Sequence, residues 1–193
     1  TGVAVGAWST GGDLNTARKY MAGAGTQTAA LGFGGASPVP SLALTESYNG
    51  TSWTEVNDLN TARYAMGGAG TQTAALGFGG YIPGSLALTE IWNGTNWTEV
   101  NDLNAARRYL AGAGATNTAA LAFGGTPTTA ATETWNGTNW TEVNDLNTAR
   151  QSLAGTGTNT AALAFGGNTG PGAVTETWNG TNWTEVGDLN TAR

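Results

Sequence analysis

The chain has 193 residues, of which 39% are hydrophobic and only 10% charged, with a net charge of −6. It is long enough for one substantial core. No apolar run approaches the roughly 20 residues that span a bilayer, and the seven basic residues are spread too thinly for the clustered footprint that nucleic-acid binding needs. With neither histidine nor cysteine, the chain lacks the commonest general base, the commonest transition-metal ligand and any disulfide scaffold.

Taken from the start, residues 3–10 are expected to form a strand, Ala4-Val5-Gly6-Ala7-Trp8 resembling the last strand of a later unit. No signal peptide or transmembrane segment is visible, and the Thr1 start leaves open that the segment is processed or belongs to a longer protein. Then comes Asp13-Leu14-Asn15-Thr16-Ala17-Arg18, a hexapeptide that recurs at 58–63, 145–150 and 188–193, and at 102–107 with Ala105 in place of Thr. Trp8, Trp53, Trp97, Trp140 and Trp183 each stand five residues before a copy, at intervals of 45, 44, 43 and 43. A period in the low forties points to four-stranded propeller blades. Four repeats are expected at 18–56, 63–100, 107–143 and 150–186 within a single domain covering residues 1–193.

Within 107–143, Tyr109–Gly114 predicts a first strand and Ala115-Thr116-Asn117 a turn. Thr118–Phe123 predicts a second strand closed by Gly124-Gly125, and Thr132–Trp135 a third. Asn136-Gly137 predicts a type I′ hairpin, and Asn139–Val143 a fourth strand. Helices are disfavoured, because each interior glycine costs a helix about 1 kcal/mol against alanine. Inner strands as small as Ala22-Gly23-Ala24-Gly25 suit a crowded propeller axis, with Leu31, Phe33 and the tryptophans filling the spaces between blades.

The pattern resembles the kelch repeat on four features. Gly-Gly pairs stand at 34–35, 79–80, 124–125 and 166–167; third-strand aromatics at Tyr48, Trp92, Trp135 and Trp178; a fourth-strand Trp follows; and an Arg opens the next unit. The resemblance implies an all-β propeller of four-stranded antiparallel blades, about four in this chain, and says little about activity. The near-identical units are also similar to repeats of marine bacteriophage tail-fibre and virion proteins. Kelch rings usually have six or seven blades, so three arrangements stay open. A four-bladed ring closed on itself is the favoured expectation; two chains sharing a larger ring, or part of a longer array, are the others.

Catalysis is not expected. Kelch enzymes of the galactose-oxidase type use histidine and a Tyr–Cys cross-link, and sialidase-type propellers carry Ser-x-Asp boxes; all are absent here. No cofactor or metal is expected: the glycine stretches lack a phosphate-binding ending, and no interleaved acidic calcium loop occurs. The repeated glutamates, Glu46, Glu90, Glu133 and Glu176 with Glu55, Glu99, Glu142 and Glu185, are expected to pair with Arg18, Arg63, Arg107 and Arg150. The Asn-Gly-Thr and Asn-Trp-Thr triplets match glycosylation sequons, but the hairpin turn already accounts for the Asn-Gly pairs.

The repeats differ most between Gly-Gly and the third strand, and loops on a rigid scaffold are where binding specificity resides. Candidate contact residues are Pro38, Val39, Pro40, Tyr81, Ile82, Pro83, Thr126, Pro127, Asn168 and Pro171. The expected function is a non-enzymatic binding or structural module of a virion or extracellular assembly, recognising a glycan or a neighbouring protein, with homo-oligomerisation left open. The alternatives are an intracellular kelch-type protein-interaction domain and an engineered propeller; the unequal loops and Ala105 speak against a copied design.

Overall fold

The computed structural model of the protein describes residues 10–38, 40–168 and 172–192. The strand expected at 3–10 therefore lies outside the described residues except for Thr10. The first blade comprises β1 (Ala22–Thr26), β2 (Ala29–Phe33), β3 (Thr45–Tyr48) and β4 (Trp53–Val56). The second comprises β5 (Gly67–Thr71), β6 (Ala74–Phe78), β9 (Thr89–Trp92) and β10 (Trp97–Val100), with a small hairpin of β7 (Tyr81–Ile82) and β8 (Gly84–Ser85) between β6 and β9. The third holds β11 (Ala111–Thr116), β12 (Ala119–Phe123), β13 (Thr132–Trp135) and β14 (Trp140–Val143), and the fourth β15 (Ala154–Gly157), β16 (Ala162–Phe165), β17 (Thr175–Trp178) and β18 (Trp183–Val186). Each blade is an antiparallel meander, so the chain is an all-β tandem propeller. No helix among the described residues is long and apolar enough to cross a membrane.

The hairpin between third and fourth strands differs from the expected type I′ turn. Pairing of Trp135 with Trp140 leaves four residues in the loop, and Gly137 has positive φ whereas Asn136 does not. The Asn136 side chain instead accepts from the N–H of Thr138 and of Asn139, each at 2.9 Å. A two-residue turn would break this register, and the Asn carboxamide closes the longer loop through its own backbone, as Asx turns do.

The inner strands β1, β5, β11 and β15 stand side by side around one glycine-lined channel of about 200 Å³. Each blade is wedged on the next by the Phe that ends its second strand. Phe33 meets Trp97 at 4.8 Å between ring centroids, Phe78 meets Trp140 at 5.0 Å and Phe123 meets Trp183 at 4.9 Å. All three Phe side chains are fully buried, each stabilising by about 1.5–3 kcal/mol. The indole N–H groups of Trp97, Trp140 and Trp183 donate back to Thr45, Thr89 and Thr132 of the preceding blade. No equivalent contact joins the fourth blade to the first among the described residues, which corrects the expectation of a closed four-bladed ring.

The repeated hexapeptide ties each pair of blades. In Asp58–Arg63, the Asp58 carboxylate accepts from the N–H of Thr45 at 3.0 Å, and the Leu59 N–H donates to the Ala43 carbonyl at 3.0 Å, both on the first blade. Two residues on, the Asn60 N–H donates to Glu90 of the second blade at 2.7 Å, and the Arg63 guanidinium pairs with the same carboxylate and donates to Gly77. The Arg63 carbonyl accepts from the N–H of Gly35 at 3.0 Å. This explains the Gly-Gly signature: Gly34 has φ of 67° and a Cβ there would lie 2.7 Å from the Arg63 carbonyl oxygen. Arg18–Glu46, Arg107–Glu133 and Arg150–Glu176 repeat the ion pair. Glu55, Glu99, Glu142 and Glu185 do not share it. They are exposed on the fourth strands and form no ion pair among the described residues, which corrects that half of the expected pairing.

Burial pushes the Glu46 carboxyl up, but the Asn15 N–H and the Arg18 guanidinium outweigh it and hold the group below its ordinary value. A carboxylate depressed in the folded state stabilises the fold above its unfolded pKa, and that contribution is lost as pH falls through the folded value. Urea midpoints measured against pH should fall below the ordinary glutamate range. Glu46→Gln should be less stable at neutral pH and show a flatter acid limb; an unchanged limb would contradict this assignment.

Candidate binding surface

After each hexapeptide the chain turns into its inner strand through a dipeptide that the repeats do not share: Lys19-Tyr20, Tyr64-Ala65, Arg108-Tyr109 and Gln151-Ser152. The second residue of each adopts left-handed backbone, with φ of 57°, 56°, 54° and 56°. That conformation aligns successive main chains. The N–H of Ala65 donates to Tyr20, that of Tyr109 to Ala65 and that of Ser152 to Tyr109, at 2.7–2.8 Å. A left-handed non-glycine residue costs about 1–2 kcal/mol, and here it is held by these blade-to-blade bonds.

The first residue of each dipeptide pairs with the start of the variable loop: Lys19 with Ala36, Tyr64 with Tyr81, and Arg108 with Thr126. In the fourth blade the Asn168 N–H donates to Gln151. Rim and loops are therefore one surface. Tyr20 packs on Tyr64 at 6.0 Å and edge-on against Tyr109 at 5.8 Å, while Tyr64 meets Tyr81 at 5.3 Å. Tyr20 is 51% exposed. The Arg108 guanidinium lies 4.6 Å over the Tyr81 ring and donates to the Ser85 hydroxyl, and the Lys19 ammonium lies 5.4 Å over Tyr20. Four of the remaining cations are buried in ion pairs with glutamate, and Arg193 lies outside the described residues. Lys19 and Arg108 are thus the two described cations without a carboxylate partner, and both stand on this rim.

Of the expected contact residues, Pro38 lines a shallow depression of about 130 Å³ with Lys19, Tyr20, Tyr64 and Tyr109, and Tyr81 belongs to the aromatic cluster. Ile82 and Pro83 form the tip of the β7–β8 hairpin, with Pro83 exposed. Thr126 joins through its pairing with Arg108, while Pro40, Pro127 and Asn168 are exposed. Val39 and Pro171 lie outside the described residues. Tyr20, Tyr64, Arg108 and Tyr109 are not among the contact residues expected from the sequence. The signal was present: a variable dipeptide set between an almost invariant hexapeptide and a glycine-rich strand.

No protein-family model matches the chain, and no curated protein matches it. The class is set by the fold and the rim together: an open, tandem-repeat β-propeller of four blades with one aromatic, cation-bearing surface.

Burial raises the Tyr109 phenol above its ordinary pKa, with Tyr20 and Tyr64 adding to the shift and Arg108 opposing it. It stays a neutral hydroxyl at physiological pH. In a spectrophotometric titration, Tyr109→Phe should remove a phenol from the alkaline end of the curve. Loss from the middle of the curve would mean that the rim is more open to water than described.

Proposed function

We propose that this protein is a non-enzymatic binding module of a virion or extracellular assembly, and that its rim recognises a glycan. The carrying observation is the contiguous cluster of Tyr20, Tyr64, Tyr81 and Tyr109 with Lys19 and Arg108 beside it. Tyrosine offers a flat apolar face and a hydroxyl at low conformational cost. A pyranose has a C–H face and a ring of hydroxyls, and so matches that surface. The cations add donors and favour a sugar bearing a carboxylate or sulfate. The repeated polar residues, by contrast, are used in tying blades together, which leaves the rim and loops as the part of the surface free to vary with a partner. The kelch-like repeats and their likeness to bacteriophage virion repeats support an assembly component over an intracellular adaptor.

Calorimetric titration against neutral and acidic oligosaccharides tests this. Binding should weaken about tenfold or more in Tyr20→Ala and in Arg108→Ala, a loss of about 1.4 kcal/mol or greater, while Glu99→Gln on the outer strand has no effect. If no saccharide binds, or if Glu99→Gln weakens binding as much as Tyr20→Ala, the glycan reading is wrong.

A further inference from the structure

The two end faces are the unmade halves of one junction. On the fourth blade Phe165 is partly exposed whereas Phe33, Phe78 and Phe123 are fully buried, and Val186 is 41% exposed. Beside Phe165 lies an open depression of about 440 Å³ lined also by Ala154, Leu189 and Asn190. On the first blade Trp53 is partly exposed, and the space over Gly32 is met by Met21 and Trp53 of its own blade. At Gly77, the equivalent space is shared by Met66 of its own blade and Phe33 of the preceding blade. Gln27 is exposed, whereas Gln72 at the same place in the second blade donates to the Tyr48 carbonyl of the first.

The residues at the junction rim carry a pairing rule. In the three made junctions an Asn precedes the hexapeptide and donates to an Asn of the next blade: Asn57 to Asn96 at 2.9 Å, Asn101 to Asn139 at 2.9 Å and Asn144 to Asn182 at 2.8 Å. The first blade has Ser52 at the acceptor position, and the residue set against it is Gly12. A Cβ on Gly12 would lie 2.5 Å from the Thr51 carbonyl oxygen, so this blade admits only glycine there. Gly187 is the one other glycine at that position, and Gly187–Arg193 repeats Gly12–Arg18 letter for letter. Within its own protomer a Cβ added at Gly187 would meet nothing within 4 Å among the described residues.

We propose that the exposed face of the fourth blade docks the first blade of a second copy of this chain, head to tail. Gly187 and the hexapeptide after it displace Gly12–Arg18 from that blade, one copy of the sequence exchanging for the other, and take over its bonds to Glu46. Phe165 then wedges over Gly32 and Trp53 as Phe33 does over Gly77 and Trp97, and the Trp53 indole reaches Thr175. The occupant is a second copy because no hydrogen bond or ring contact joins the two faces of one chain among the described residues, while both surfaces continue an interface already made three times. Such a heterologous contact gives a ring if its rotation closes and a filament if it does not.

The test is mass by light scattering across a concentration series for the wild type, Phe165→Asp and Gly187→Val. The wild type should reach the mass of two chains or more. Both variants should fall to one chain, 19.5 kDa, with Gly187→Val melting as the wild type does because its side chain meets nothing in the protomer. A wild type of one-chain mass at every concentration overturns the proposal, as does assembly that survives Gly187→Val. Should Phe165→Asp fail to fold, Gly187→Val alone decides.

Discussion

The structure depends on a hexapeptide whose two halves hold different blades. Asp binds the first residue of the third strand of the blade just completed and Leu the loop before that strand, while Asn and Arg bind the glutamate of the blade about to begin. At the centre of each tie is an arginine with at most 1% of its surface exposed in Arg63, Arg107 and Arg150. Breaking a buried ion pair by removing one partner costs about 3–5 kcal/mol, because the remaining charge is left without compensation. Here the same charge also collects carbonyl bonds: Arg107 donates to Gly124 and to Ala131 as well as to Glu133. The pair therefore fixes the third strand, the Gly-Gly corner and the crossing segment in a single network.

That network explains why the repeat tolerates so little change where it is polar and so much where it is not. Asp, Asn, Arg and Glu each have a geometrically defined partner in every blade. Across the four blades the loop from the Gly-Gly corner to the third strand shares only the contacts of its ends, and the rim dipeptides share only their backbone conformation. Variation is free to collect on one surface of an otherwise uniform scaffold, and on that surface the tyrosines and the two cations without carboxylate partners are found.

Much of the architecture was legible in the sequence, because strands, blade boundaries and the Arg–Glu pairing follow from a strict repeat with glycine and tryptophan at fixed offsets. The hairpin geometry was not. Asn-Gly in a four-residue loop carries the same letters as Asn-Gly in a two-residue turn, and only the register of Trp135 with Trp140 separates them. Closure of the ring was not legible either, since the repeat places a Phe and a Trp in every blade whether or not the last meets the first. Five hexapeptides for four blades were nevertheless a sign, because a closed ring of four needs only four. The rim is less legible than the loops because Lys19-Tyr20 and its counterparts differ in residue type at constant length, whereas the loops differ in length as well.

The central claim is that one hexapeptide couples two blades, and amide hydrogen exchange on Arg107→Met tests it directly. The expected result is a joint loss of protection, at Gly80 and Leu86 in the second blade as well as along β12 and β13 in the third, since the Gly80 N–H donates to the Arg107 carbonyl and the Arg107 N–H to Leu86. Loss confined to the third blade, with the second as protected as in the wild type, would contradict the claim and leave the hexapeptide as a linker between independently stable sheets.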